Sequence, residues 1–324
     1  ALAAVGATSS LVNLLVNTFI GISVGVNILV ARRVGCRDDE GVRRASHCAV
    51  ALSTALGFLM LLLGLFLSRP MLEWMETPAD ILEKSTLYLK IYFLGVPFTL
   101  IYNFGAAILR AYGDTRRPLL YLTISGIVNA LLNLFFVIVC KIDVAGVAIA
   151  TVISQIISVF LVMRCLLRFD GAAKISFRQI RLYRSEAVQM MQIGLPAGIQ
   201  SAVFAVANIV IQSAINSLGT VVIAASSAAF NIEIFAYYVL NSFSQACTTF
   251  TGQNYGAGNL KRCRKVLFLC IVEDVIATAS AIVLVLLSGR VLLSIFSSDP
   301  QVIEIGYTRL VMVFSAYTFS MLYE

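Results

Sequence analysis

Along this chain, long uncharged apolar runs alternate with short charged ones. Residues 2–31, 45–68, 118–140, 144–163 and 187–232 contain no Asp, Glu, Lys or Arg. Each run reaches or exceeds the roughly 20 residues that cross a bilayer core. The pattern predicts helices over about 7–31, 48–68, 91–109, 118–140, 144–163, 187–217, 221–250, 266–288 and 305–324. The short alternating segments of a membrane β-barrel are absent from the pattern. The expected fold class is an all-α polytopic membrane protein.

Composition agrees: of 324 residues 59% are hydrophobic and 13% charged, with mean hydropathy +0.90, against roughly a quarter charged in a soluble domain. The net charge of +7 raises the question of nucleic acid, and its placement answers it. Loops 32–46, 110–117, 164–186 and 251–265 hold five, three, six and four Lys or Arg, eighteen of the 24. The loops between them, 69–90, 141–143, 218–220 and 289–304, hold three, one, none and one. Such alternation is the positive-inside pattern. The rich loops are expected in the cytoplasm and the chain in the plasma membrane as a monomer, with the lipid bilayer as partner and no nucleic acid.

Cysteines 36, 48, 140, 165, 247, 263 and 270 form no CxxC pair and read as reduced packing residues. His47, the single histidine, opens a helix and is expected at the membrane interface. "GQNYGAGNLKRCRK" (252–265) has the glycines and cations of a phosphate cradle. No strand precedes it, so its glycines read as helix caps instead. The apolar start is too long, and lacks the basic leader, for a signal peptide.

Sliding the chain against itself by 221 residues pairs Gly35 with Gly256, Arg43 with Arg264, Arg44 with Lys265, Arg69 with Arg290 and Glu83 with Glu304. These matches fall at equivalent loops and indicate a duplicated unit with an even number of spans. The expectation is two six-helix bundles related by a pseudo-two-fold along the membrane normal, as in some secondary transporters. On that plan the chain is truncated to about nine helices, lacking the first helix and the last ones, and the fragment is expected to be inactive alone. The organisation expected is an N-terminal lobe at 1–168, a cytoplasmic linker at 169–186 and a C-terminal lobe at 187–324. Phe177, Ile180 and the arginines at 178, 181 and 184 would suit either a short surface helix or a solvated linker.

"RAYGDTRRPLL" (110–120), "VNALLNLFF" (128–136), "VAGVAIATVISQ" (144–155), "IGLPAGIQSAVF" (193–204) and "GQNYGAGN" (252–259) together resemble the multidrug and toxic compound extrusion (MATE) transporters, end to end and in order. The resemblance implies twelve helices in two lobes and export of cationic, amphipathic drugs in exchange for Na⁺ or H⁺. It implies no cofactor and no enzymatic activity, and no Walker motif is present.

Polar groups deep in a bilayer are costly and mark function or helix contact. Asn129 and Asn133, four apart, share a helix face, and Thr151 follows beyond a tight Lys141–Asp143 turn. Their oxygens suit a hard cation; helix–helix hydrogen bonding is the alternative. The resemblance implies Asn, then Asp four later, then Thr, so Asn133 departs from the pattern and cannot titrate. In the second half the candidate acids within apolar helices are Glu233, Glu273 and Asp274, with no cation within a helical turn. Adjacent helical residues point about 100° apart, so one of Glu273 and Asp274 at most faces inward. Glu233 is the favoured coupling acid.

Further cavity candidates are Asn13, Asn17, Gln200, Asn208, Gln212, Tyr237 and Tyr238, the tyrosines as cation–π partners. Pro97 and Pro196 are candidate hinges. A flippase for a lipid-linked saccharide is the alternative function. An intramembrane enzyme would need a deep His/Glu set or serine–base pair, which is missing. "RRVGCRDDEGVRR" does not match the signature of the major facilitator plan.

Overall fold

The computed structural model describes residues 2–75 and 79–323, and its regular elements are helical. In chain order they are α1 (Leu2–Gly35), α2 (Asp39–Trp74), α3 (Ala79–Ala111), α4 (Arg116–Leu134) with a π-helical turn at Phe135–Val139, α5 (Asp143–Leu167), a 3-10 turn at Phe177–Gln179, α6 (Arg184–Asn216), α7 (Thr220–Gly256), α8 (Leu260–Ser294) and α9 (Pro300–Tyr323). Eight of them are long and apolar enough to cross a membrane. The chain is an all-α polytopic membrane protein, because in lipid a helix satisfies every backbone group within itself.

The helices run past the limits their apolar cores suggest. The expected 69–90 loop is largely helical, since α2 continues to Trp74 and α3 begins at Ala79. Charges there sit on helix ends, where Arg69 bonds Glu73 at 2.8 Å and Glu83 at 3.1 Å. Likewise Gly252 and Gly256 lie inside α7, and only Gly258 takes the left-handed conformation of a cap (φ 71°).

Contacts divide the chain into two compact units, residues 1–205 and 206–324, with the division inside α6. In the first, α3 packs against α1, α2 and α5 around Leu29, Val30, Leu100, Phe104, Ile108 and Leu166. There α1 also meets α6 backbone to backbone. Gly21 and Gly25 of "GISVG" face Gly198 and Gly194 of "GLPAG". A Cβ on Gly25 would lie 2.2 Å from the Met190 carbonyl oxygen, and one on Gly194 2.4 Å from that of Ile22. Small residues four apart let membrane helices approach this closely. In the second unit α7, α8 and α9 close around Ala229, Val285, Leu293, Leu310 and Phe314.

The 221-residue repeat is written in hydrogen bonds at the α1–α2 and α7–α8 corners. The Asp38 amide donates to Arg33 O at 3.1 Å, and its counterpart Asn259 to Asn254 O at 2.9 Å. Arg37 and Gly258 both have positive φ, 56° and 71°. The side chains of Asp38 and Asn259 then cap the next helix, accepting from the amides of Gly41 (2.9 Å) and Arg262 (3.1 Å). At the far ends, Arg69 meets Glu83 at 3.1 Å and Arg290 meets Glu304 at 2.7 Å. The sequence pairs that marked the duplication thus make the same ion pair twice.

The segment after α5 folds back onto the first unit. Ala173 and Ile175 are buried, and the Ile175 amide donates to Leu166 O at 3.0 Å. His47, expected at the membrane interface, is enclosed by protein and only 1% exposed. Its Nδ1 donates to Arg43 O at 2.7 Å while Nε2 accepts the Ser176 amide at 2.9 Å. Both ring nitrogens are needed to satisfy buried backbone groups, which explains the burial. Cys48 donates to Tyr183 O at 3.4 Å, and buried Glu186 lies 3.8–3.9 Å from Arg44 and Arg33. Of the two readings of this stretch, a short surface helix or a solvated linker, the structure has helix only in the turn at Phe177–Gln179. The cysteines are free thiols.

Two outcomes follow. Gly25→Val should lower stability by about 1–3 kcal/mol or more through overpacking, whereas Gly126→Ala, with open space around its Cα, should be neutral or stabilising; thermal unfolding in detergent reads both. The Gly41 amide, with help from Arg33, holds the Asp38 carboxyl below its ordinary 3.8. Its cap therefore contributes fully above that value and is lost as pH falls through the lowered one. Asp38→Asn, which keeps an acceptor, should flatten stability against pH below about 4.

Candidate functional site

Two polar clusters interrupt the apolar helices, one in each unit. The first is built by a corner. Lys141, at φ 53°, turns the chain, and the Ile142 amide donates to Phe136 O at 2.9 Å, so α5 returns antiparallel along α4. Asn129, Asn133 and Thr151 come together as their spacing predicted. Asn133 Nδ2 donates to Asn129 Oδ1 at 3.1 Å, and Asn129 Nδ2 to Thr151 Oγ1 and Ser154 Oγ at 3.4 Å each. This leaves Asn133 Oδ1 buried without a hydrogen-bond partner. The π-helical turn begins two residues later, a feature that often accompanies functional sites.

Sequence reading missed how far this polar line extends. Ser158 donates to Ser125 at 2.7 Å. Gln155 Oε1 is buried and unpartnered, against Gly95 of α3, where a Cβ would stand 2.1 Å from it. The signal was present in the spacing of 151, 154, 155 and 158, one stripe on α5.

In the second unit Glu233 is 7% exposed and has the cation that sequence proximity did not show. Arg309 of α9 grips it with two bonds, Nε–Oε1 at 2.9 Å and Nη2–Oε2 at 3.1 Å. Such a fork is the strong form of an ion pair. Tyr317 Oη adds a bond to the Glu233 carbonyl at 3.4 Å. Of the two neighbouring acids on α8, Glu273 is exposed and Asp274 turns toward the packed side. Asp274 Oδ1 is buried without a hydrogen-bond partner among the described residues. One turn on, Thr278 is 2% exposed and its hydroxyl also makes no hydrogen bond among the described residues. Thr54, Thr123, Thr151 and Thr308 bond the carbonyl four residues back; Thr278 does not.

The remaining candidates are scattered. The Asn13 side chain lies outside the described residues, and Asn17 is exposed. Gln200, Asn208 and Gln212 form an exposed stripe on α6. Tyr237 and Tyr238 are exposed neighbours with ring centroids 6.0 Å apart. Pro97 is wedged on Gly57, where a Cβ would be 2.6 Å from the proline Cα. Pro196 is exposed and sits between the two α6 glycines, and the helix runs through it unbroken.

Comparison with known proteins bears on this geometry. The MatE family profile matches residues 1–135 and 196–324. A probable multidrug resistance protein of Bacillus subtilis, YpnP, is 26% identical over 320 residues, 98% of this chain and 71% of the relative. A protein of Shewanella oneidensis described as an FAD transporter is 24% identical, over 94% of this chain and 68% of its own. A structure described as the outward-facing conformation of a multidrug resistance MATE family transporter of the MOP superfamily superposes with TM-score 0.89 at 21% identity, covering 99% of this chain and 72% of that one.

Because the Glu233–Arg309 pair is largely buried, removing one partner should cost more than removing both. Arg309→Leu is expected to destabilise by about 3 kcal/mol, and Glu233→Leu added to it should restore most of the loss. Unfolding of the four proteins of this double-mutant cycle checks the claim; additive losses would show that the pair is not coupled.

Proposed function

The chain belongs to the MatE family, and from that premise we propose a secondary transporter that exports cationic, amphipathic drugs in exchange for Na⁺ or H⁺. Two six-helix lobes, assigned here to 1–168 and 187–324 about the linker 169–186, would expose the cargo site to each side in turn. The basic loops 32–46, 110–117, 164–186 and 251–265 would face the cytoplasm from the plasma membrane, with the protein working as a monomer and without a cofactor.

One observation carries this reading. Among the described residues, the buried side-chain polar atoms without a hydrogen bond are Arg44 Nε, which faces Glu186 at 3.8 Å, and otherwise only oxygens: Ser46, Thr86, Asn133, Gln155, Asp274 and Thr278. Unpaired oxygens in a low-dielectric interior favour a proton or a cation. Arg309 is held by Glu233, so no deep cation in that pair is free for an anionic headgroup, and the flippase reading gains no support.

Asn129, Asn133 and Thr151 are assigned to cation binding in the first lobe. In the second, the coupling role passes from Glu233, whose carboxylate Arg309 occupies, to Asp274 with Thr278 beside it; exposed Glu273 is a weaker candidate. An acid that binds either the coupling ion or the cationic drug, and not both, exchanges one for the other. Asn13, Asn17, Gln200, Asn208, Gln212, Tyr237 and Tyr238 are assigned to the cargo path, with the tyrosine faces suited to an organic cation. Pro196 removes a backbone bond to the carbonyl four residues back and is the better hinge, because Pro97 is clamped against Gly57.

The test is ethidium efflux from vesicles carrying the protein under imposed Na⁺ or H⁺ gradients. Efflux should follow a gradient, fall by roughly 5–150-fold in Asp274→Asn, and fall less in Glu233→Gln. If neither gradient moves ethidium, the exporter reading fails; if Glu233→Gln is the more damaging variant, the assignment of the acid fails.

A further inference from the structure

We propose that the segment 174–184 is a binding site for anionic phospholipid headgroups. The segment joins the end of α5 to the start of α6, so it lies where two membrane helices reach the bilayer surface. Its backbone is fixed from the inner side. Ile175 is buried, the Ser176 amide is held by His47, the Tyr183 carbonyl by Cys48, and Glu186 by Arg33 and Arg44. With those four points fastened inward, the residues between them face outward. Phe177 is 67% exposed and Leu182 50%. Lys174, Arg178, Arg181 and Arg184 are exposed too, and their charged ends make no hydrogen bond or ion pair among the described residues.

The acids nearby do not answer this charge. Between residues 164 and 190 the only acids are Asp170 and Glu186, and Glu186 is buried and directed at Arg33 and Arg44. The outer face therefore presents four unpaired cations around two exposed apolar side chains. Water alone would favour burying Phe177 and Leu182, and the fastened backbone prevents it. At the headgroup level both needs are met. The rings and branches enter the acyl boundary, as an interfacial segment does. Each guanidinium can fork onto a phosphodiester. Anionic lipids attract juxtamembrane cations, and the exposed apolar residues Val188, Leu195 and Ile199 continue the same surface along α6. The inference is independent of the transported cargo and of which leaflet the segment faces.

Trp74 is the chain's single tryptophan, so a reporter can be placed cleanly. The protein carrying Trp74→Phe and Phe177→Trp is reconstituted into phosphatidylcholine vesicles containing a minor fraction of brominated phosphatidylglycerol, or the same fraction of brominated phosphatidylcholine. Expected is stronger quenching by the brominated phosphatidylglycerol, showing enrichment around residue 177. That preference should vanish near 1 M salt, where screening falls to about 3 Å. Arg178→Gln and Arg181→Gln should each lower the enrichment, by up to about fivefold. Equal quenching by both lipids would overturn the proposal, since depth without charge recognition is not headgroup binding. Absence of quenching would overturn it as well, by placing the segment in water. Gel filtration of each variant verifies that the fold is intact.

Discussion

In hydrocarbon a backbone amide finds no partner except another backbone group, and this chain is organised by that constraint. It explains why the regular structure is helical and why the helices overrun their apolar cores into the headgroup region. It also changes what holds the helices together. Lipid is as apolar as leucine, so association relies on close packing and on hydrogen bonds rather than on expelling water. The contact of Gly21 and Gly25 with Gly198 and Gly194 is the packing solution, with main chain against main chain. The amide and hydroxyl ladder of Asn129, Thr151, Ser154, Ser158 and Ser125 is the polar one.

What could be read from the sequence follows from the same constraint. A span has a length set by the bilayer, so the helices and their order were legible from the alternation of long apolar runs and short charged ones. The tight turn after α4 and the Asn129–Asn133–Thr151 cluster were legible because all three residues are joined by helical spacing and one short corner. Helix ends were not, since charge density marks the edge of hydrocarbon and not the end of a hydrogen-bond ladder. The partner of Glu233 was hidden for a different reason. Arg309 lies 76 residues away, and a search for cations within a turn cannot find a neighbour supplied by another helix. The partners of His47 were hidden in the same way: its position at the start of an apolar run says nothing of Ser176, 129 residues on, which covers it.

The duplication sharpens the contrast between the two polar clusters. At a 221-residue offset the counterparts of Glu233 and Arg309 are Val12 and Tyr88. The second half thus has an acid and a base where the first half has neither. A lone charge in either position would be uncompensated in a low dielectric, and the two together cancel. Glu233 therefore has a sufficient structural reason to exist, and its burial is not by itself evidence of coupling.

Asp274 and Thr278 lack that reason. Their counterparts are Ser53 and Gly57. Ser53 is buried with its hydroxyl satisfied by the Val50 carbonyl at 2.9 Å. Gly57 lets Pro97 seat against the backbone, making that seam dry and close. In the second half the glycine has become threonine, and the position of Pro97 is held by Thr318. A seam that packs tightly in one copy has polar residues in the other, with two buried oxygens, of Asp274 and Thr278, that make no hydrogen bond among the described residues. Packing alone would favour the first arrangement, because an unsatisfied buried oxygen costs about 1–3 kcal/mol. A proton or a cation on those oxygens would offset that cost. This difference is the physical ground for proposing Asp274 rather than Glu233 as the coupling acid.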